Sequence, residues 1–423
     1  MFNTLTEAKD WIENSHRFGD KLDLKRMEIA CEILGHPERA YATIHVAGTN
    51  GKGSTASYLK NILMESGYKV GLYISPYVVK FNERISINND YISDQDVIIY
   101  ANRIKDLWDF VYENHQEAIT FFEILTLMSF IYFKDKQIEI GVIEVGLGGT
   151  LDATNVITPM VSVITNISYD HMKQLGDTLE SIALNKLGIV KQNGALVTSD
   201  QNESLFPLFE EYTMKKNALL KRVDYSKLNQ VEIGEVTKFH YKNEPYVVKL
   251  PGVHQVKNAA LAIEVIHYLR PLLKREITET SVKNGLYNTF WPGRFEIFNH
   301  NIILDGAHNT GGFASLEETV KIMYPGKKIK CLLCMMKDKE HSKVINELDQ
   351  MVDEFHFTQI EYPRRADAIT LYEESNHPKK MVHEDFKEAV ESLSHLEKDE
   401  ILLITGSLYF ISEVRKLFVQ EGK

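Results

Sequence analysis

The segment from His45 to Thr55 constrains the fold of this chain more than any other segment does. An apolar run over Ala42–Ala47 predicts a buried strand, and residues 54–66 predict a helix that ends before Gly67. The turn between them contains three glycines and Lys52. A strand, a glycine-rich turn and a helix N-terminus together form an anion site, because backbone N–H groups and the helix dipole favour negative charge there. The segment therefore indicates a site for a nucleoside triphosphate.

The turn departs from the common phosphate-loop pattern at two positions. That pattern has glycine where this chain has Val46, and serine or threonine where this chain has Gly53, so the hydroxyls of Ser54 and Thr55 come one step later. A chance glycine-rich turn is the alternative interpretation. The flanking strand and helix, together with the lysine, argue against it.

Composition excludes several classes of function. The chain has 423 residues, 44% of them hydrophobic and 25% charged, and a net charge of −11, which is typical of a globular protein that binds neither nucleic acid nor an anionic membrane. No window approaches the length of a membrane helix, and the N-terminus does not resemble a signal peptide. Three cysteines indicate a reducing compartment, so we expect a cytoplasmic protein. Cys331 and Cys334 lie in a predicted strand, where positions i and i+3 face opposite sides, so we interpret them as packing residues.

The order of apolar segments predicts two α/β domains. Five candidate strands alternate with helical patterns in the first part of the chain, which predicts a mostly parallel sheet covered on both faces: Ala42–Ala47, Lys69–Ile74, Ile138–Val145, Met160–Asn166 and Ala195–Thr198. The polar stretch 199–249 predicts an antiparallel excursion. A second, smaller α/β series starts after Trp291-Pro292-Gly293-Arg294, so the predicted domains are residues 1–293 and 294–423.

Polar residues follow three of the predicted strands. Ser75 follows the second strand, Glu144 ends the third, and His171 comes after the fourth. Ligands of open parallel sheets bind beyond the carboxyl ends of the strands, and carboxylate oxygens suit Mg²⁺. A Ser-Pro turn, a structural ion pair and a solvated histidine are the alternative interpretations of these residues.

Several strings resemble one family. Residues 45–55 resemble the phosphate loop of the ATP-dependent amide ligases that include the folylpolyglutamate and dihydrofolate synthases and the peptidoglycan (Mur) amino-acid ligases. The folate branch is favoured by residues 81–85, 144–149, 151–155 and 166–171. The family implies a P-loop ATPase-like N-terminal domain and a smaller α/β C-terminal domain.

The resemblance also implies roles for individual residues. It implies Mg²⁺ ligation by Ser75, Glu144 and His171. The implied catalytic residues are Lys52, Glu144, His171 and Lys186. The resemblance also implies that Lys186 is carbamylated. Asn185 and Leu187 stand where the family more often has Glu and Ala. The implied nucleotide-binding residues are Thr49, Asn50, Gly51, Lys52, Gly53, Ser54, Thr55, Asn258, Arg294 and Asp305. The implied substrate-binding residues are Phe121, Phe122, Glu123, Asp152 and Ala153.

The resemblance leads to a hypothesis about activity. We expect a monomeric ligase that uses ATP and Mg²⁺ to add L-glutamate to a folate, and also to a pteroate if the enzyme is bifunctional, through an acyl phosphate. The nearest alternative is a Mur-type ligase acting on a nucleotide-sugar carboxylate. The phosphate loop begins near residue 45 with no evident domain before it, which favours the folate branch. An ATP-gated binding protein without ligase activity is the alternative from another class.

Overall fold

The computed structural model describes residues 1–15 and 23–419, which form two compact units. The first unit comprises residues 1–77, 81–227 and 257–289, and the second comprises residues 78–80, 228–256 and 290–423. The second unit therefore includes residues 228–256, which precede the predicted division at residue 293. The domain bounds themselves stay a prediction.

The first unit is built on an eight-stranded sheet in the order β4-β3-β2-β5-β1-β6-β7-β8. Its strands are β1 (Ala42–Ala47), β2 (Val70–Tyr73), β3 (Ile85–Ile87), β4 (Asp90–Tyr91), β5 (Ile140–Glu144), β6 (Val161–Ile164), β7 (Ala195–Thr198) and β8 (Leu219–Arg222). All neighbours from β2 to β8 pair in parallel, and β3 and β4 add an antiparallel edge. The predicted mostly parallel sheet is confirmed.

The helices of this unit bury apolar side chains on the sheet. They are α1 (Leu5–Asn14), α2 (Lys25–Ile33), α3 (Lys52–Glu65), α4 (Asp94–His115), α5 (Phe121–Asp135), α6 (Met172–Leu175), α7 (Leu179–Leu187), α8 (Phe206–Lys215), α9 (Val253–Leu269, which belongs to this unit from residue 257 onward) and α10 (Glu279–Tyr287). One core joins α4 and α5 with the N-terminal helices and includes Tyr73, Phe130 and Ile143. Another joins α7 and α8 with β6 and β7 through residues such as Ile182 and Phe209. The burial of apolar side chains in these cores is the main stabilising contribution to such a unit.

The second unit contains two sheets. The smaller sheet is antiparallel, with β9 (Leu228–Glu232), β10 (Thr237–Tyr241) and β11 (Glu244–Val248). The larger has the order β12-β13-β17-β14-β15-β16 and is parallel except at β12. Its strands are β12 (Glu296–Phe298), β13 (Ile302–Asp305), β14 (Lys328–Leu333), β15 (Glu354–Phe357), β16 (Lys380–Val382) and β17 (Glu400–Thr405). The helices are α11 (Thr310–Met323), α12 (His341–Asp349), α13 (Ala368–Glu374), α14 (Phe386–Leu393) and α15 (Leu408–Phe418).

Two sequence predictions about these segments have different outcomes. The antiparallel excursion predicted over 199–249 is correct only in its second half, because residues 199–227 contain α8 and the parallel strand β8. The polar residues of β8 are explained by its position at the edge of the sheet. The cysteine prediction is confirmed: Cys331 and Cys334 are buried, and they belong to different apolar clusters of the larger sheet.

Candidate active site

Strand order brings four loops to one edge of the first sheet. Adjacent strands β2, β5, β1 and β6 end at Tyr73, Glu144, Ala47 and Ile164, with Val46 paired to Glu144 and Ala47 paired to Ile164. Because these strands are parallel, the segments that follow them leave the sheet at the same edge. Those segments carry Ser75, Glu144, the phosphate loop and His171. The topology thus places the predicted metal residues and the phosphate loop at one edge.

The phosphate loop is held by the segment that follows β6. The backbone N–H of Thr49 donates to Asn166 O at 2.9 Å, and that of Asn50 donates to Asn166 Oδ1 at 2.9 Å. The Thr165 hydroxyl donates to Asn50 O at 2.6 Å. Gly51 has φ 82°, in the left-handed region, and its carbonyl accepts the Thr55 N–H of the first turn of α3. Sequence reasoning missed the supporting roles of Thr165 and Asn166, whose signal is a polar pair directly after a buried strand.

Two lysines converge on the first residue of this loop. Lys52 Nζ donates to Gly48 O at 3.1 Å and to Thr49 O at 3.2 Å, and Lys186 Nζ donates to Gly48 O at 2.9 Å. Lys186 is 4% exposed. Burial and, to a smaller extent, the charge of Lys52 lower its pKa to about 7, while Asp170 and Asp152 act in the opposite direction. The α7 lysine therefore belongs to the phosphate-loop region.

Helix α7 reaches the loop because the turn after β5 contains glycines. A Cβ at Gly149 would lie 2.7 Å from Asn185 O and 2.9 Å from Lys186 O. Only a residue without a side chain permits this approach of backbone to backbone. The turn and α7 are further joined by Thr150, whose N–H donates to Asn185 O at 2.9 Å. The glycines thus position Lys186.

Glu144 and Ser75 are adjacent at the predicted metal position. Glu144 is 5% exposed, and Ser75 N donates to its Oε2 at 3.4 Å. His171 is the N-cap residue of α6, and its ring is partly exposed, with Nε2 3.9 Å from Asp170 Oδ1. Within residues 1–15 and 23–419, no group of three or more His, Cys, Asp or Glu side chains is arranged to hold a metal. A buried carboxylate beside a hydroxyl still suits Mg²⁺, which takes one or two carboxylates and completes its shell with phosphate and water.

The predicted substrate segment lies at the start of α5. A Cβ at Gly146 would lie 2.4 Å from the Phe122 ring, so this ring covers the turn that follows Glu144. Glu123 accepts the Thr120 N–H at 2.7 Å as part of a capping box, and its carboxylate pairs with buried Arg26 at 3.1 Å. The Glu123 carboxylate therefore has structural partners on the protein. Sequence reasoning missed Arg26, and no local pattern marks it.

The second predicted substrate segment is a turn with internal hydrogen bonds. Asp152 Oδ2 accepts the Leu147 N–H at 2.8 Å, and Oδ1 accepts the Thr154 N–H at 3.0 Å. Burial raises the pKa of Asp152, while these hydrogen bonds act in the opposite direction. Ala153, the next residue, is buried. The Asp152 carboxylate thus holds the shape of the turn, and its contact with substrate stays a prediction.

The remaining predicted nucleotide residues lie in three segments. Asn258 on α9 is 7% exposed and packs on the phosphate loop, since a Cβ at Gly51 would lie 2.4 Å from its Oδ1. In the second unit, Asp305 accepts the Phe295 N–H at 2.9 Å and the Ala307 N–H at 2.8 Å. Burial raises the pKa of Asp305, while nearby Arg294 lowers it. Arg294 lines a cavity of about 470 Å³ in that unit, together with Lys249 and Phe290.

Comparison with known protein families shows which family this chain belongs to. Residues 46–266 match the Mur ligase middle domain, and residues 293–408 match the Mur ligase glutamate ligase domain. The chain is 36% identical to a dihydrofolate synthase/folylpolyglutamate synthase of Bacillus subtilis over 98% of this chain and 99% of that protein. The chain belongs to the folylpolyglutamate synthase/dihydrofolate synthase family. As a member of this family, it is a ligase.

Solved structures of folylpolyglutamate synthases have the same fold. That of Mycobacterium tuberculosis, complexed with ADP and AMPPCP, has a TM-score of 0.90 at 26% identity and covers 99% of both chains. A folylpolyglutamate synthase complex with AMPPCP and folate has a TM-score of 0.87 at 28% identity, covering 99% of this chain and 100% of that one. No helix within the described part of this folylpolyglutamate synthase family member is long and apolar enough to cross a membrane.

Proposed function

We propose that this chain uses ATP to join L-glutamate to the free carboxylate of a tetrahydrofolate, and also to that of dihydropteroate. The observation that carries the proposal is the meeting of Lys52 and Lys186 at Gly48, on the sheet edge where Glu144 ends β5. This arrangement combines a phosphate site with a carboxylate suited to Mg²⁺. The relatives solved with ADP, AMPPCP and folate support ATP and a folate as substrates.

The proposed reaction has two balanced steps. A carboxylate oxygen of the folate attacks the γ-phosphorus of ATP, ADP leaves, and an acyl phosphate forms. The glutamate amine then attacks the acyl carbon, the C–O bond to phosphate breaks, and the nitrogen loses a proton as the amide forms. No covalent protein nucleophile is required, so the protein contributes by positioning groups and stabilising charge.

Several of the predicted site residues have a proposed role in the first step, the phosphorylation of the folate carboxylate. The Lys52 ammonium neutralises charge on the transferred phosphoryl group, and the N–H groups at the start of α3 bind phosphate oxygens. Ser75, Glu144 and His171 would hold Mg²⁺, which supplies further charge neutralisation across the phosphates. Asn258, Arg294 and Asp305 stay predicted nucleotide contacts.

The environment of Lys186 supports the predicted carbamylation. An ammonium with a pKa of about 7 is substantially neutral above that pH. The neutral amine can add carbon dioxide and lose a proton, which gives a carbamate in place of a cation. That change converts a buried positive charge beside Lys52 into a negative one, so the two side chains attract instead of repel.

A phosphate-release assay tests the proposed activity. With ATP, Mg²⁺ and L-glutamate, we expect phosphate release only when tetrahydrofolate or dihydropteroate is added, each tried separately. Lys52→Ala should lower release by more than about 100-fold. Lys134→Ala is the matched control, because this exposed lysine also donates to a glycine carbonyl, at 3.4 Å from Gly35 O, but lies outside the site. Turnover of a nucleotide-sugar carboxylate, with neither pterin accepted, would contradict the folate assignment in favour of a Mur-type ligase.

A further inference from the structure

Arg84 is a buried cation without an acidic partner. It is 5% exposed, and no carboxylate within the described ranges 1–15 and 23–419 forms an ion pair with its guanidinium. Its Nε is buried and makes no hydrogen bond to the described residues, and its Nη1 donates only a long 3.4 Å bond to Ser75 Oγ. Burial of an unpaired charge is strongly unfavourable. A protein retains such a group when it meets an anion.

Two aromatic rings surround this guanidinium. Its Cζ lies 5.0 Å from the centroid of the Tyr77 ring and 5.6 Å from that of Phe121. Cation–π contacts stabilise a buried cation, but they offset only part of its desolvation cost. The rings also fix the planar group, and this leaves its N–H edge to recognise an anion. Such a pre-organised fork matches a carboxylate better than a mobile ammonium does.

The neighbours of Arg84 indicate which anion it meets. Arg84 contacts Ser75, whose N–H donates to Glu144 at the proposed metal position. It also lies over the ring of Phe121, the first residue of the predicted substrate segment. Burial raises the pKa of Tyr73, and the charge of Arg84 opposes this shift. The carboxylates of Asp152 and Glu144 add to the shift, so all three charged groups lie close enough to act on the Tyr73 hydroxyl. The carboxylate that reacts must lie between the substrate segment and the metal position.

We propose that Arg84 binds the reactive carboxylate of the folate substrate and orients it for phosphorylation. The inference rests on the proposed function and adds a residue that positions the acceptor. Two N–H donors of the guanidinium hold the carboxylate, and the Tyr77 and Phe121 rings hold the guanidinium. The incoming glutamate also has carboxylates, and the experiment below separates the two substrates.

The test uses Arg84→Met, which keeps length and packing between the rings but removes the charge, and Arg84→Lys, which keeps only the charge. Arg103→Met is the matched control, because Arg103 also lies over a tyrosine ring, at 5.3 Å from the Tyr100 centroid, but is a surface residue. We expect Arg84→Met to raise KM and the directly measured Kd for tetrahydrofolate about 10- to 100-fold. Arg84→Lys should recover part of this loss, and Kd for ADP should not change.

Thermal unfolding distinguishes binding from a structural role. Removal of an unpaired buried charge should leave Tm unchanged or raise it, whereas loss of a structural contact should lower it. A lower Tm with unchanged tetrahydrofolate affinity, or a rise in KM for glutamate alone, would overturn the proposal. The Kd for tetrahydrofolate can be measured whether or not the wild-type protein releases phosphate. Wild-type protein that binds tetrahydrofolate through Arg84 without releasing phosphate would contradict the proposed activity but not this contact.

Discussion

Individual side chains at the sheet edge combine structural and proposed chemical functions. The Glu123 and Asp152 carboxylates hold local structure, through Arg26 and through backbone N–H groups respectively. Glu144 is the last residue of β5, at the edge where the phosphate loop leaves the sheet, and its Oε2 accepts the Ser75 N–H at 3.4 Å. Carboxylate oxygens suit Mg²⁺, and this carboxylate lies beside a second predicted metal ligand. Of these three acids, we therefore predict that Glu144 is the one that binds Mg²⁺.

At this scale we predict the effect of Glu144→Gln. The substitution keeps the shape of the side chain and its acceptor for Ser75 N but removes the charge, so the Mg²⁺ concentration for half-maximal activity should rise about 10- to 100-fold. The Tm of the metal-free protein should change little. The measurement is activity against Mg²⁺ at saturating substrates, with Glu180→Gln on the nearby helix α7 as a charge-matched control. Wild-type rates at the same Mg²⁺ concentration would show that Glu144 is not a ligand of the essential metal.

At the scale of elements, the contact between α7 and the glycine turn after β5 decides where Lys186 lies. The turn approaches Asn185 and Lys186 through backbone atoms, and these cannot move without moving the helix. The Lys186–Gly48 hydrogen bond then connects α7 to the phosphate loop. The position of Lys186, a predicted catalytic residue, thus depends on the absence of a side chain at Gly149.

We predict that Gly149→Ala displaces α7. Its Cβ would be 2.7 Å from Asn185 O, so we expect destabilisation of about 1–3 kcal/mol and a loss of activity through misplacement of Lys186. Urea unfolding and the phosphate-release assay measure the two effects. Gly234→Ala is the control, because its nearest neighbour, Val236 O, is at an ordinary 3.4 Å. Wild-type stability and activity in Gly149→Ala would refute the proposed packing constraint.

At the scale of the whole molecule, buried neutral histidines make both units sensitive to acid. Burial and, to a smaller extent, the charge of Lys191 lower the pKa of His45 to about 3. Its ring lies in the first unit, with Nε2 2.7 Å from Thr154 Oγ1. In the second unit, burial and, to a smaller extent, His383 lower the pKa of His356 to about 4. The Nε2 atom of His383 is 2.9 Å from His356 Nδ1. In unfolded chains these rings titrate near pH 6.5.

The sign of the pH dependence follows from these pKa values. Between about pH 3 and 6.5 the unfolded state binds a proton at His45 that the folded state does not, so stability falls as pH decreases through that window. We expect His45→Gln to reduce this dependence by up to about 1.4 kcal/mol per pH unit. Urea unfolding at pH 7.5 and pH 4.5 measures it. His300→Gln is the control, since its ring is 91% exposed. An unchanged pH dependence in His45→Gln would contradict the assignment of a buried neutral ring.

Local patterns were enough to predict much of the fold. Strands β1 and β7 have the predicted bounds, and α3 follows the phosphate loop as expected, because buried β-branched runs and glycine-punctuated turns are properties of short segments. Helix α11 begins at Thr310, and the Asn309 side chain caps it by accepting the Gly312 N–H at 2.9 Å. The polar edge strand β8 was missed, because its sequence lacks a continuous apolar run.

The sequence by itself determined which chemical groups are present and which of them follow strands, since a glycine-rich turn and a carboxylate at a strand end are local signals. Only the tertiary structure decided which groups meet. Lys52 and Lys186 are joined at Gly48, and Arg84 lies between Tyr77 and Phe121. These contacts depend on strand order and on packing between segments far apart in the chain. The buried, unpaired state of Arg84 likewise has no local signature, because burial is a property of the surrounding fold rather than of the residue.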